Sequence, residues 1–241
     1  MEFILILQQS LIDMIQWTLR WLRNIAIFFF VSTIIMVVAL KYVPVYVTPL
    51  MLTRCVEQMM DGEAPTLKHQ WVPLTQISHN APQAVMASED NLFLRHNGFD
   101  FEQIYKARIE AMKGKRERGA STITQQTAKN VFLWNGHSWV RKGLEAYFTV
   151  LIEMIWGKER IMEVYLNSIE MGRGIYGIEA VAQLHFGVPA SELSKRQAAL
   201  VAATLPNPRE RNSAQPTPYL IKRRGQIVDL MGKIDRFPEV E

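Results

Sequence analysis

The sequence predicts an all-α domain that follows a single membrane-spanning helix near the N-terminus. Sixteen consecutive residues from Ile25 to Leu40 carry no charge, and apolar residues extend this run on both sides. From about Gln76 onward, apolar side chains recur with the 3.6-residue period of helices, and glycine or proline interrupts the pattern at intervals. Alternating stretches of β-branched residues, which indicate strands, are few.

Composition sets broad limits on function. The 241 residues suffice for one sizeable core plus an appended segment. The formal net charge of +4 suits phosphates, anionic lipids and nucleic acids equally. Basic and aromatic residues do not interleave as in RNA-binding modules, so nucleic acid is not an expected partner. The single cysteine, Cys55, excludes an internal disulfide framework and a CxxC metal or redox site.

The apolar N-terminal segment predicts a membrane anchor over residues 1–47, with the spanning helix at about residues 22–42. With its flanks, the uncharged run reaches the roughly 20 residues that a bilayer requires. A cleaved signal peptide is the alternative, but the run lies deep in the chain and lacks a clear cleavage site. Basic residues flank both ends, so the positive-inside rule gives no clear orientation. The apolar stretch 1–19 is a candidate for a segment on the membrane surface.

The remaining residues, 48–241, are expected to form one domain of helices. Pro82 is expected to open a helix that continues to Glu89. Further helices are predicted at Phe101–Met112, Ser138–Trp156, around 161–166, at Ala180–Phe186 and at Lys195–Leu205. The charged stretch Lys113–Gly119 predicts a loop, which is either solvated or faces anionic headgroups or a pyrophosphate.

Several common catalytic motifs are absent from the sequence. There is no Walker A, HExxH or GxSxG motif. No serine is followed by lysine three residues later, and KTG is missing, so a penicillin-type transpeptidase site is not expected. The five histidines show no metal-ligand spacing.

Two polar clusters in the first half of the domain are candidates for chemistry. Glu89 and Asp90 are adjacent carboxylates, although such pairs more often cap helices or form surface salt bridges. The run GASTITQQTAKN, residues 119–130, concentrates hydroxyls, amides and one lysine. These groups can donate hydrogen bonds to phosphates and sugar hydroxyls, whereas the alternative is a Ser/Thr-capped helix with a polar face.

Two further clusters follow. Arg141 and Glu145 have the i,i+4 spacing of an ion pair, which on an exposed helix face contributes only a few tenths of a kcal/mol. The segment from Tyr165 to Gly177 ends a helix with three glycines, at positions 172, 174 and 177. Glycines there indicate a close backbone approach, which packing alone can explain.

In this order, the clusters resemble the peptidoglycan glycosyltransferase family, most closely its monofunctional, membrane-anchored members. The matching segments are ED..F..H.G.D, GASTITQQTAKN, RKGLE, YLN...MG.G..G and the closing ALVAATLPNP, together about half the chain. The resemblance implies a lysozyme-like, two-lobed all-α fold. It also implies polymerisation of lipid II into β-1,4-linked glycan, with release of undecaprenyl pyrophosphate and no transpeptidase activity. His137, Met171 and His185 depart from the family pattern, which puts substrate affinity in question rather than reaction class.

Carried onto this sequence, the resemblance implies two catalytic carboxylates. Glu89 would deprotonate the acceptor's 4-hydroxyl, because a sugar hydroxyl is a poor nucleophile and partial burial raises a carboxylate's pKa. Glu145 would lie in the donor site as a positioning or metal-organising residue, since a pyrophosphate leaving group needs positive charge more than a proton. The expected substrate-binding residues are Asp90, Phe93, His96, Ser121, Thr122, Gln125, Gln126, Lys129, Asn130, Arg141, Lys142, Tyr165 and Asn167.

The resemblance also implies cofactors, partners and a location. A divalent cation, Mg²⁺ or Mn²⁺, is expected without a dedicated protein site. Expected partners are lipid II, the growing lipid-linked glycan, the membrane, and proteins of cell division or cell-wall synthesis. The chain would be single-pass in the bacterial inner membrane with its catalytic domain in the periplasm. A glycan hydrolase and an inactive membrane scaffold are the alternatives; the phosphate-suited run at 119–130 argues against the first, and the two carboxylates argue against the second.

Overall fold

A continuous helix, α1, runs from Glu2 to Tyr42. The computed structural model describes residues 2–114, 119–136 and 138–239, with side chains from residue 8 onward. Residues Gln8–Tyr42 are long and apolar enough to cross a membrane, which confirms the prediction of one apolar anchor helix. The 41 residues of α1 extend about 60 Å, twice the roughly 30 Å hydrocarbon core. The stretch 1–19, a candidate for a segment on the membrane surface, is from residue 2 onward part of the same helix as the predicted span.

Residues 43–241 form a second unit, in which helices predominate. Its helices are α2 (Pro49–Met60), α3 (Asn80–Glu89), α4 (Phe101–Met112), α5 (Ile123–Phe132), α6 (Trp139–Ile155), α7 (Gly157–Ser168), α8 (Ile178–Phe186), α9 (Lys195–Thr204) and α10 (Pro218–Met231). Short 3₁₀ turns lie at Leu74–Gln76 and Ala190–Glu192. The predicted all-α class is confirmed.

Six of these helices pack in two groups. Helices α3, α9 and α10 pack against one another, and α5 packs against both α6 and α7. Helix α7 also contacts α3, which joins the groups. Small side chains on α9, among them Ala199, Ala202 and Ala203, are almost fully buried, so the neighbouring helices approach it closely. This packing sets the end of α3 beside the middle of α5.

A small sheet interrupts the helices. Strands β1 (Lys68–His69), β2 (Glu170–Gly172) and β3 (Ile175–Tyr176) lie in the order β1-β3-β2, with β1 parallel and β2 antiparallel to β3. Gly174 and Gly177 have φ angles of +69° and +83°. A Cβ at Gly174 would lie 2.6 Å from the carbonyl oxygen of Thr66, and a Cβ at Gly177 would lie 2.7 Å from that of Asn167. These glycines therefore serve close packing within the protein.

Candidate active site

Glu89 is the last residue of α3, and its carboxylate is partly buried. Gln126 donates a hydrogen bond from Nε2 to Oε2 of Glu89 at 3.1 Å, and Ser88 donates from Oγ to Oε1 at 3.2 Å. Burial raises the pKa of Glu89 above its usual value, and these two hydrogen bonds and the positive charge of Arg223 act in the opposite direction. A carboxylate whose pKa is raised by burial is suited to accept a proton from a hydroxyl.

A pocket of about 60 Å³ opens beside this carboxylate, and we call it the Glu89 pocket. It is lined by Ser88, Glu89, Asp90, Asn91, Leu92, Asp100, Gln103, Gly119, Ala120, Ser121 and Thr122. Four of the predicted site residues therefore lie together here: Glu89, Asp90, Ser121 and Thr122. Asp100 and Gln103 also line the pocket, although neither was proposed as a site residue.

Asp90 and Thr122 hold the N-terminus of α5 against this pocket. Asp90 is buried and accepts a hydrogen bond at Oδ2 from the backbone N–H of Ile123 at 3.1 Å, where a helix N-terminus favours a negative charge. Nε2 of His96 lies 2.9 Å from Oδ1 of Asp90. Thr122 caps α5 in a reciprocal capping box with Gln125, so the run at 119–130 is indeed a capped helix.

Gln126 is held in one orientation by Tyr165. The Tyr165 hydroxyl is fully buried and donates to Oε1 of Gln126 at 3.3 Å. Because Oε1 accepts this bond, the amide nitrogen of Gln126 is directed to Glu89. Burial raises the pKa of Tyr165 well above its usual value, so it remains a neutral donor. Tyr165 therefore acts on Glu89 through Gln126.

Lys129 lies three residues after Gln126 on the same face of α5. Burial and the neighbouring charges of Arg141, Lys142 and Arg54 lower its pKa, and Glu145 opposes that shift. Lys129 lines a second pocket of about 290 Å³, the Lys129 pocket. The other lining residues are Arg54, Glu57, Trp134, Asn135, Gly136 and Arg141. Such a cluster of cations is suited to bind a polyanion.

Glu145 is the buried carboxylate of this cation cluster, with only 3% of its side chain exposed. Its Oε2 lies 3.2 Å from Nη1 of Arg141, and its Oε1 pairs with the ammonium of Lys142. The alternative of an ion pair on an exposed face is therefore wrong. Because both carboxylate oxygens are engaged, Glu145 holds the two cations in place.

Helix α2 contributes two residues to the Lys129 pocket that the sequence analysis missed. Arg54 pairs with Glu57 at 2.6 Å and with Glu170 at 3.2 Å. Asn135 donates from Nδ2 to Oε1 of Glu57 at 3.4 Å. Only the i,i+3 spacing of Arg54 and Glu57 was visible in the sequence, and that spacing is common on exposed helices.

The transglycosylase family model matches residues 56–232, a span that contains the whole Glu89 pocket and most of the Lys129 pocket. The chain belongs to the transglycosylase family. It is 60% identical over 223 residues to the biosynthetic peptidoglycan transglycosylase of Bacteroides thetaiotaomicron, covering 92% of this chain and 90% of that protein. The proteins of the same name from Chromohalobacter salexigens and Bdellovibrio bacteriovorus are each 50% identical, over 211 and 210 residues. These alignments cover 88% and 87% of this chain and 90% and 84% of the respective relatives.

In this transglycosylase-family chain, several predicted substrate-binding residues are buried and line neither pocket. Phe93 is fully buried, and the ammonium of Lys158 lies 4.5 Å from the centre of its ring. Asn130 is buried on α5. Asn167 is fully buried, and its amide bonds the backbone N–H and carbonyl of Val72 at 3.0 and 2.9 Å. The structure thus gives Asn167 a packing role and does not bring it to either pocket in the described part of the chain.

The positions that depart from the family pattern lie away from both pockets where the structure describes them. Met171 is fully buried in the core. Nδ1 of His185 lies 2.7 Å from Oγ of Ser213, and burial lowers the pKa of this imidazole. His137 and residues 115–118 of the predicted basic loop lie outside the described residues.

Within the described residues, no three His, Cys, Asp or Glu side chains come together as ligands for a metal ion. The carboxylate of Glu145 is already paired with Arg141 and Lys142, so it is poorly placed to organise a metal ion. The described side chains therefore do not provide a resident site for the expected divalent cation.

Proposed function

We propose that this chain is a membrane-anchored peptidoglycan glycosyltransferase that polymerises lipid II into β-1,4-linked glycan. The observation that supports this most directly is the placement of Glu89 and the cation cluster along one face of α5. Gln126, which bonds Glu89, and Lys129, which borders Glu145, are one helical turn apart, a rise of about 4.5 Å. Neighbouring turns of one helix thus contact a candidate base and a candidate anion site, the two groups that a glycosyl transfer requires.

Glu89 acts as the general base. It takes the proton from the 4-hydroxyl of the acceptor sugar as that oxygen attacks the anomeric carbon of the donor. The new C1–O4 bond forms while the bond from C1 to the phosphate oxygen breaks, and undecaprenyl pyrophosphate leaves. Attack from the face opposite the leaving group inverts the anomeric centre, so an α-linked donor gives a β-linked product.

The Lys129 pocket receives the pyrophosphate of the donor. Lys129 forms no salt bridge with a described residue and lines the pocket, so its ammonium is available to a phosphate oxygen. Arg141 and Lys142 add positive charge, and Glu145 fixes their positions. Charge that develops on the leaving group is thereby stabilised without transfer of a proton.

A divalent cation, Mg²⁺ or Mn²⁺, enters this proposal as a companion of the pyrophosphate, since magnesium is often held mainly by substrate phosphates. Chelation of divalent cations is then expected to lower the polymerisation rate. Chelation should leave the thermal unfolding temperature of the free protein unchanged, because no protein ligand set is emptied. A marked fall in that temperature on chelation would indicate a resident metal site instead.

The anchor helix keeps the enzyme on the membrane that carries both lipid-linked substrates, which raises their effective concentration. Because lipid II is polymerised at the outer face of the inner membrane, the catalytic unit is placed in the periplasm. Proteins of cell division or cell-wall synthesis are the protein partners that this activity implies. Protease digestion of intact spheroplasts tests the orientation, since only a periplasmic unit is accessible.

The experiment that tests the reaction incubates the full-length protein in detergent with labelled lipid II and Mg²⁺. We expect glycan polymer from the wild type and from Glu192→Gln, an exposed carboxylate on a 3₁₀ turn. Glu89→Gln should lose about 10²- to 10⁴-fold in rate, as expected for removal of a general base. An unchanged rate in Glu89→Gln would remove Glu89 as the base, and cleavage of preformed glycan without polymer would indicate a hydrolase.

A further inference from the structure

A third pocket, of about 380 Å³, lies along α10, and we call it the α10 pocket. Its lining residues are Pro206, Arg211, Tyr219, Lys222, Arg223 and Gln226. Three of these six side chains are cationic, and no acidic side chain of a described residue lines the pocket. Neither the reaction described above nor the sequence motifs assign a role to this pocket.

The three cations of the α10 pocket lack a carboxylate partner among the described residues, unlike several cations elsewhere in the catalytic unit. Arg54, Arg141 and Lys158 each form a salt bridge with a glutamate. Arg211, Lys222 and Arg223 form none with any residue that the structure describes. Their charges therefore sum to an uncompensated positive field in one pocket.

Two of these side chains are held in place by contacts that leave most of their donors free. Arg211 donates from Nη1 to the carbonyl oxygen of Ala203 at 3.3 Å, and its guanidinium lies 5.1 Å from the centre of the Tyr219 ring. Arg223 donates from Nη1 to Oε1 of Gln226 at 3.4 Å. A guanidinium has five N–H donors in one plane. Arg211 and Arg223 therefore each retain N–H donors that can bind a carboxylate or a phosphate.

Helix α10, which carries four of the pocket's residues, packs against the helix that carries Glu89. Helix α10 packs against both α3 and α9, and Ser88, the neighbour of Glu89, donates from Oγ to the carbonyl oxygen of Ala202 on α9 at 3.1 Å. The positive charge of Arg223 opposes the burial that raises the pKa of Glu89. The α10 pocket is thus on the side of the base, where the acceptor has to bind, and the donor pyrophosphate is served by the Lys129 pocket.

We propose that the α10 pocket binds an anionic group of the acceptor substrate. This inference rests on the proposed function, in which a lipid-linked disaccharide is the acceptor. Such an acceptor carries two kinds of anion, the carboxylates of its stem peptide and its pyrophosphate, and arginine recognises both through paired N–H donors. The contact fixes the acceptor so that its 4-hydroxyl reaches Glu89, which contributes to orientation rather than to proton transfer.

A single-coupling assay separates the acceptor from the donor. The donor is a labelled lipid II whose own 4-hydroxyl is epimerised, so that it cannot accept, and the acceptor is varied. Lys222→Gln and Arg211→Gln are the test variants, and Lys233→Gln, an exposed lysine just beyond α10, is the matched control. We expect the test variants to raise the acceptor KM about tenfold, the loss of one charge-assisted hydrogen bond, with kcat and the donor KM nearly unchanged.

Two further acceptors identify the anion. One has its stem carboxylates amidated, and the other has a neutral linker in place of the pyrophosphate. If wild type and Lys222→Gln have the same KM for one of these acceptors, the anion that this acceptor lacks is the group that the α10 pocket binds. An unchanged acceptor KM in both test variants overturns the proposal, as does an equal rise in donor KM. Failure of the proposed function looks different, because the wild type and Lys233→Gln would then give no coupling at all.

Discussion

The amide of Gln126 lies 3.1 Å from the Glu89 carboxylate and donates to it, while the buried hydroxyl of Tyr165 fixes the orientation of that amide. A hydrogen bond to the charged form of a carboxylate favours ionisation, whereas burial opposes it. The hydrogen bond from Gln126 therefore offsets part of the rise in the pKa of Glu89 that burial causes. Gln126 is therefore a positioning residue for the proposed base.

Gln126→Ala removes this donor, so we expect the pKa of Glu89 to rise. The unprotonated carboxylate required for catalysis is then lost at a higher pH when the solution is acidified. The acid limb of kcat/KM against pH should move to higher pH in Gln126→Ala, measured in the polymerisation assay. Gln215→Ala, an exposed glutamine in a loop, is the control and should retain the wild-type limb. A limb that stays in place in Gln126→Ala contradicts the positioning role.

Arg223→Gln removes a positive charge that lowers the pKa of Glu89, so its acid limb should also move to higher pH. Arg223→Lys retains the charge and should keep the limb near that of the wild type, although it loses the planar donors. The same pH series measures both variants. If Arg223→Gln and Arg223→Lys give identical limbs, charge is not the means by which Arg223 acts on Glu89.

Lys129→Ala should weaken binding of the donor, because the variant lacks the ammonium that forms no ion pair within the described structure. One charge-assisted contact with phosphate is expected to change the donor KM by about tenfold or more. The donor KM is measured in the single-coupling assay with saturating acceptor. Lys195→Ala, an exposed lysine at the start of α9, is the control. Equal donor affinity in Lys129→Ala and wild type would contradict the pyrophosphate assignment.

Gly177→Ala should destabilise the fold by about 2–4 kcal/mol, because it adds a Cβ at positive φ. That Cβ would also lie 2.7 Å from the carbonyl oxygen of Asn167. Gly187→Ala provides the comparison, since Gly187 has a similar φ of +68° but nothing within 4 Å of the added Cβ. About 1 kcal/mol is expected there from the backbone conformation alone. Urea unfolding of the full-length protein in detergent measures both, and equal losses would show that the close contact is unimportant.

Several of the observed helices begin where the sequence carries an N-cap residue, in some cases followed by proline. The predicted helix at Phe101–Met112 has the same bounds as α4, where Asp100 accepts a hydrogen bond from the backbone N–H of Gln103 as N-cap. Helices α2 and α10 were not predicted, although each has a threonine N-cap followed by proline at the first helical position, at Thr48–Pro49 and Thr217–Pro218.

Motif order and residue types in the sequence determined the family, the pair of carboxylates and the cation-rich character of the site, because the chemistry requires those groups and the motifs give their spacing. The tertiary structure decided how they are used. Glu145 is buried between Arg141 and Lys142, an effect of solvent exclusion. The other contacts join residues distant in sequence: Tyr165 orients Gln126, Arg54 reaches the Lys129 pocket, and the charge of Arg223 acts on Glu89. Local sequence patterns do not show which distant residues meet or which side chains are buried, since contacts and burial arise only when helices pack against one another.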